Sequence, residues 1–378
     1  MKKKKVFVLA GGMGTRLYPL TVNIPKPLIP VTNMPILELI INQVLKKHGY
    51  TDITFILYHQ AELIKKYFGS GKRYGVNIEH VIAPKNLGTA GALKYAAKKQ
   101  DSPFLVFSGD VLTNFNLDSM LDFHLEKKAM ATVALTKISD PMAYGIARLD
   151  KKKRINTFLE KPDWSEVFSD LVNAGIYILD PAILNLIPED KKFDFSRDLF
   201  PLMLRKKADL YGWKASGFWK DIGSINEYFA IHALMLAGHG FKIDSSAKVG
   251  SAIIDGDGLI GEKTIIENGS TIDSSIIGAN CRIGSESYIK NSIIWDGVNI
   301  DNNVRIENSI IGYNSILGEE VNLEKGVVVG DNVEIGDYAV LRSNVKIWSG
   351  VAVPGGMVAQ RDVIPAMEKI DENIIRVS

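Results

Sequence analysis

Residues 6–30, VFVLAGGMGTRLYPLTVNIPKPLIP, decide how the rest of the chain is read. Val6, Phe7, Val8 and Leu9 form a short apolar, β-branched run, the pattern of a buried strand. It breaks into Ala10-Gly11-Gly12-Met13-Gly14-Thr15-Arg16. Glycine lets backbone come close to a ligand and adopt positive φ. Bare N–H groups at the start of a helix after this turn would attract an anion. Arg16 adds one cation, and Lys26, between Pro25 and Pro27, adds a second. A strand, a glycine-rich turn and two cations describe a polyphosphate site. It is not a P-loop, because no Lys-Ser or Lys-Thr follows the glycines, and it lacks the full G-x-G-x-x-G spacing.

Bulk composition is compatible with this reading. At 378 residues the chain is long enough for two domains. With 46% hydrophobic and 23% charged residues it has the make-up of an ordinary soluble protein. A net charge of +2 selects no charged partner, nucleic acid included. No apolar run approaches the ~20 residues that span a bilayer. Lys2 to Lys5 precede too short an apolar run for a signal peptide. A single cysteine, Cys281, excludes an internal disulfide and fits a cytoplasmic setting. One Cys and six scattered His argue against zinc.

From residue 1 to about 237 strand and helix patterns alternate, which predicts a Rossmann-like α/β domain with a mostly parallel sheet. Helical spacing covers 36–47, 61–68 and 90–99; strand patterns cover 53–58, 77–82, 104–107, 131–136, 146–149 and 155–159. Ligands of such sheets bind beyond the carboxyl ends of the strands. Several candidate residues fall at such ends. Gly88 and Thr89 lie in a strand-to-helix turn where Thr89 is a possible cap. Asp110 follows an apolar strand, as either a turn aspartate or a ligand for a hard cation. Glu160 and Lys161 end a period-2 strand, and Val172-Asn173-Ala174-Gly175 opens another. Asp221 precedes Ser224, which with Glu227 has the spacing of a capping box for a helix over 225–236.

Gly238-His239-Gly240 reads as a joint. Beyond it, over 241–378, Ser275-Ile276-Ile277, Ser292-Ile293-Ile294 and Ser309-Ile310-Ile311 recur every 17 residues, and aliphatics recur about every six. Val329, Ile335, Leu341, Ile347 and Val353 keep six strictly. This is a hexapeptide β-helix. Cys281 takes an inward, small-residue position and is read as structural. An acyltransferase of this shape needs a base, and no His follows His239. The domain is therefore read as structural, oligomerising or regulatory, with 365–378 as a cap.

The whole resembles the sugar-nucleotidyltransferases, the nucleoside-diphosphate-sugar pyrophosphorylases, with their Gly-Gly-x-Gly-Thr-Arg-Leu-x-Pro-Leu-Thr and Pro-Lys-Pro strings, matched at 11–21 and 25–27. Leu-Gly-Thr-Ala, Phe-Ser-Gly-Asp, Glu-Lys-Pro, Asn-Ala-Gly and Phe-Trp-x-Asp-Ile-Gly follow in order, and the second domain resembles the left-handed type of β-helix. The resemblance implies a transfer between a nucleoside triphosphate and a sugar 1-phosphate, in a homo-oligomer joined through the β-helix. It implies nucleotide contacts at Leu9, Ala10, Gly11, Gly12, Gly14, Thr15, Arg16, Gly88 and Thr89. Arg16, Lys26 and Asp110 would be catalytic, and Asp110 with Asp221 would hold Mg²⁺. Gly145, Glu160, Lys161 and Asn173 would hold the sugar phosphate. The strings look most like mannose-1-phosphate guanylyltransferases, with glucose-1-phosphate adenylyl-, uridylyl- or thymidylyltransferases and heptose-phosphate enzymes as alternatives. A catalytically silent sugar-nucleotide-binding regulator is the reading from another class.

Overall fold

A computed structural model describes residues 4–97 and 100–365; the predicted terminal cap beyond Pro365 and the last two residues of the predicted 90–99 helix lie outside the described residues. The chain forms two compact units. The first comprises residues 1–13, 25–28 and 35–223; the second comprises 14–24, 29–34 and 224–378.

The first unit is built on nine described strands. Its centre is β1 (Lys5–Leu9), flanked by β2 (Asp52–Leu57) and β4 (Phe104–Ser108), with β3 (Asn77–Ile82) beyond β2. These four run parallel. Their residues are buried on both faces, as β-branched and aromatic runs predict: Val6, Val8, Phe55, Leu105 and Val106 expose no more than 1%. A short strand, β5 (Val111–Thr113), follows the turn after β4.

The rest of the sheet is antiparallel in the main. β6 (Ala131–Lys137), β7 (Gly145–Leu149), β8 (Ile155–Glu160), β9 (Leu171–Leu179) and β10 (Leu210–Lys214) extend it, and β9 pairs antiparallel with β4, β6 and β7. Only β10 and β6 add another parallel pair. The sheet is thus mixed, and its parallel half carries the glycine-rich turn. A two-stranded ribbon joins β5 to β11 (Trp219–Asp221).

Helices cover this sheet. The first runs from Ile36–Leu39 through a π-helical stretch, Ile40–Leu45, into a 3₁₀ turn at Lys46–His48. Ala61–Phe68 matches its expected span; its apolar face buries Ala61, Ile64 and Phe68. The helix expected over 90–99 starts two residues earlier, at Gly88–Ala96.

In the second unit the aliphatic six-residue period becomes three parallel sheets of seven strands each. Every inward aliphatic stacks on its counterpart in the next coil: Ile260 on Ile277, Ile277 on Ile294, Ile294 on Ile311. All are at most 1% exposed. The coil lengthens from 17 to 18 residues where Ile311 pairs with Val329, because the corner carrying Lys325 and Gly326 holds one more residue than the corner carrying Asn308. Asparagines at these corners adopt positive φ, 46° at Asn291 and Asn308, which their short polar side chains tolerate. Cys281 is in its expected inward place, 2% exposed, with its amide donating to the Thr264 hydroxyl one coil earlier.

The helix Ile225–Leu236 starts where its cap predicts: Ser224 accepts the Glu227 amide at 3.3 Å. Trp295, where neighbouring coils have glycine, donates its indole N–H to the Tyr228 hydroxyl at 3.0 Å. Tyr228 in turn donates to the Pro30 carbonyl, and Asn33 to the Ile277 carbonyl. The predicted joint is a pinned turn: Asp257 accepts the amides of Gly238 and Gly240.

Candidate active site

At the carboxyl end of β1 the chain leaves the sheet. Ala10 still donates its amide to the Ile56 carbonyl, and the Leu9 carbonyl accepts the Gly109 amide. These two groups therefore serve the sheet. Gly11 passes so close to the end of β2 that a Cβ there would lie 3.0 Å from Tyr58 Cβ, whereas at Gly12 a Cβ would meet nothing within 4 Å. The helix expected after the glycines is a single 3₁₀ turn, Thr15–Leu17, entered through Gly14 at φ 70°. One short turn aligns too few peptide dipoles to attract an anion on its own. The Gly14 carbonyl is held by the Leu17 amide and the buried Thr21 hydroxyl. Gly14, Thr15 and Arg16 belong to the second unit.

The first unit gathers three charges. Lys26, 7% exposed, sets Nζ 2.5 Å from Asp110 Oδ2 and 3.6 Å from Asp221 Oδ1. The ribbon makes this possible. Asp221 pairs with Val111, and the Ile222 amide donates to the Asp110 carbonyl, so the two aspartates stand side by side although they are 111 positions apart in the chain. Two convergent carboxylates on rigid backbone, leaving most coordination positions to water and phosphate, suit Mg²⁺. Among the described residues no cluster of three or more His, Cys, Asp or Glu side chains offers a closed metal cage.

A second group forms around Glu160. It pairs with Gly145 across the β7–β8 hairpin. The strand β9 is irregular between Asn173, which pairs with Leu135, and Tyr177, which pairs with Val133, so that two extra residues bulge between them, at Ala174-Gly175. Gly175 takes φ 73° and donates its amide to Asn173 Oδ1. Asn173 Nδ2 then reaches both the Tyr177 hydroxyl and Ser196 Oγ at 3.0 Å. Ser196 also bonds Glu160, so Asn173 and Glu160 share one hydroxyl. Burial pushes the Glu160 carboxyl above its ordinary range, against the pull of Lys161, the Ser196 hydroxyl and Arg197. Lys161 follows at positive φ, its side chain exposed.

Gly88 and Thr89 open a helix, but Thr89 does not cap it. The helix is entered through Leu87 without a side-chain cap, and its first amides are already satisfied. Asp194 accepts the Thr89 amide and hydroxyl, and the Phe193 carbonyl accepts the amides of Ala90 and Gly91. Gly88 needs its glycine: φ is 68° and a Cβ would lie 2.8 Å from the Phe193 carbonyl oxygen.

Residues 193–198 were given no role by the sequence, yet they tie these groups together. Phe193 and Asp194 hold the Gly88–Thr89 turn, Phe195 donates its amide to Thr89 Oγ1, and Ser196 holds Glu160 and Asn173. Trp219, two residues before Asp221, donates its indole N–H to the Ala174 carbonyl and so ties the ribbon to the bulge. No spacing signal marks Ser196; its partners lie 23 and 36 positions away.

The model of the family described as nucleotidyl transferase matches residues 5–238. The chain belongs to that family. A second model, the EIF2B subunit epsilon LbH domain, matches residues 237–341, which agrees with a left-handed β-helix. Over 239 residues the chain is 34% identical to a UTP–glucose-1-phosphate uridylyltransferase of Synechocystis, covering 60% of this chain and 61% of that one. Over 267 residues it is 36% identical to mannose-1-phosphate guanyltransferase 2 of Candida glabrata, covering 66% and 71%. The chain thus spans about three fifths of the length of the first relative and somewhat more of the second. The crystal structure of HddC from Yersinia pseudotuberculosis complexed with GMP-PN is similar at a TM-score of 0.54 and 26% identity, over 61% of this chain and 99% of that one. None of the described helices is long and apolar enough to cross a membrane.

Proposed function

We propose that this protein is a sugar-1-phosphate nucleotidyltransferase that joins a nucleoside triphosphate and a hexose 1-phosphate, releasing pyrophosphate. The observation that carries this reading is the buried Lys26 ammonium between Asp110 and Asp221, beside a second polar group built on Glu160. One half suits phosphates and a metal; the other suits hydroxyls.

The sugar phosphate is itself a good nucleophile at neutral pH, so no protein nucleophile is needed. The chain has to align two polyanions and neutralise their charge. Gly11, Gly12, Gly14, Thr15 and Arg16 would hold the triphosphate, with Leu9 and Ala10 fixing where that loop begins. Gly88 and Thr89 would form the wall for base and ribose, made rigid by Asp194. Asp110 and Asp221 would hold Mg²⁺, which when bound supplies positive charge beside the reacting phosphates. Lys26, with three donors and no acceptor, can bond a carboxylate and a phosphate at once. Glu160 and Asn173 would hold sugar hydroxyls, Lys161 the sugar phosphate, and Gly145 the clearance for Glu160.

For substrates we favour GTP and mannose 1-phosphate, supported by relatives named mannose-1-phosphate guanyltransferase at about 36% identity. A screen of five nucleoside triphosphates against several sugar 1-phosphates, read by pyrophosphate release, tests both levels. Release only with GTP and mannose 1-phosphate is the expected result. Release with UTP and glucose 1-phosphate would move the specificity toward the other named relative. No release with any pair would leave a silent sugar-nucleotide-binding protein.

A further inference from the structure

One cavity lies wholly within the second unit. It is a cleft of about 880 Å³ whose one wall is the helix Ile225–Leu236 and whose other wall is the β-helix. The β-helix wall is a run of stacked corners, Ser274, Asn291, Asn308, Gly326 and Asn344, one per coil. At ~4.8 Å per coil the row is roughly 19 Å long, the reach of a ligand of several linked groups.

The chemistry of the lining is one-sided. Arg16, Lys325 and Lys346 all face the cleft, and none of them forms an ion pair with another described residue. The one carboxylate in the wall, Asp257, is already held by the Gly238 and Gly240 amides. His232 also lines the cleft, and only 4% of it is exposed. Its Nδ1 accepts the Thr32 amide at 3.3 Å, which ties the ring to the chain beneath the cleft. Burial holds the ring neutral, its pKa lowered to about 3. Asparagine amides add donors along the floor. Phe229, half-buried, with Ile276 and Ile293, supplies an apolar flank.

We propose that this cleft is a ligand site for a nucleoside phosphate, its phosphate on Lys325 and Lys346 and its ring against Phe229. The cations match a compact anion, the asparagine amides match further acceptors, and a flat ring has a face to meet on an aromatic side chain. Sugar phosphates and inorganic phosphate share the anion but not the ring.

The test uses the full chain and GMP, AMP, glucose 6-phosphate and inorganic phosphate as probes in equilibrium titrations. Lys325→Ala/Lys346→Ala removes both cations from exposed or half-exposed positions. A nucleoside monophosphate site whose affinity falls by about tenfold or more in this variant supports the proposal. Identical stoichiometry and affinity in both proteins, or no binding in either, overturns it. Phe229→Ala should weaken GMP and AMP while sparing inorganic phosphate. Equal effects on all four probes would overturn the nucleoside assignment. Circular dichroism and thermal unfolding confirm that each variant is folded. Binding is read without turnover, so failure of the transferase reading would show as absent pyrophosphate release while this site persists.

Discussion

Gly145 faces Glu160 across the β7–β8 hairpin, and a Cβ on Gly145 would lie 2.6 Å from Glu160 Oε2 and 2.7 Å from Phe158 Cζ. Gly145→Ala must therefore displace either the carboxylate or the ring. The ring is fixed in the core against Phe200, so the carboxylate should move. We expect KM for the sugar phosphate to rise about tenfold, with about 1–3 kcal/mol lost from stability by overpacking. Steady-state kinetics against each substrate separately check this. A rise in the triphosphate KM alone would remove Glu160 from the sugar side.

Asp110→Asn keeps the shape of the ribbon turn and removes one of the two charges around Lys26. Turnover should fall by about 10²–10³-fold, the scale of losing one electrostatic contact to the reacting groups. The fold should survive, since the Asp110 side chain is 33% exposed and Lys26 retains Asp221. Pyrophosphate release over a magnesium titration measures the effect. Near-normal kcat at ordinary magnesium would show that Asp110 holds no metal. Lys26→Met, by contrast, leaves two carboxylates facing each other without the ammonium and should lower Tm as well as turnover.

How much of this was legible beforehand depends on how local each signal is. The helices Ala61–Phe68 and Ile225–Leu236 announce themselves by apolar spacing and, in the second, by the Ser224 cap. The β-helix is legible because each coil repeats one six-residue rule. Asp110 and Asp221 stand out as acids at strand ends, but that they converge on Lys26 depends on a ribbon pairing across more than a hundred residues. Where the sequence suggests a helix after the glycines there is one 3₁₀ turn, Thr15–Leu17, because Tyr18, the residue before Pro19, is already out of the helical region at ψ 140°. The possible cap at Thr89 is not made, and Asp194, the partner of its amide, is 105 positions away. Ser196 is hidden as well, its partners Asn173 and Glu160 lying 23 and 36 positions away. Nor does any local pattern show that residues 14–24 group with the second unit.

Trp295 interrupts the repeat where its neighbours carry glycine, and the structure gives the reason. It is 1% exposed, packs against the Tyr313 ring at 4.7 Å with the planes tilted by 52°, and donates to Tyr228. Trp295→Gly would restore the repeat at the sequence level, yet it should destabilise the second unit by about 3–5 kcal/mol, as expected for emptying a buried aromatic site. It also leaves the buried Tyr228 hydroxyl short of one partner. Thermal unfolding followed by tyrosine fluorescence would register the drop. An unchanged Tm would mean that the repeat alone, without this contact, sets the stability of the coil.

Asp331 gives a pH signature confined to the β-helix. It is 3% exposed, and burial raises its pKa from the ordinary 3.8 to about 6, although its carboxylate accepts the Tyr313 amide at 3.0 Å. Between those two values the folded chain holds a proton that the unfolded chain has released. The stability contributed by this group is therefore full below about pH 4 and lost as pH rises through about 6. Asp331→Asn keeps an acceptor for the Tyr313 amide and carries no charge to desolvate. It should exceed the wild type in stability at pH 7–8 by as much as about 3 kcal/mol, on the scale of 1.36 kcal/mol per pKa unit. At pH 4 the two proteins should converge. Paired denaturant titrations across pH 4–8 measure the difference directly, so that other titrating groups cancel. A difference that stays flat with pH would show that Asp331 ionises in the folded chain as readily as in the unfolded one, and that the corner at Gly330 admits enough water to solvate it.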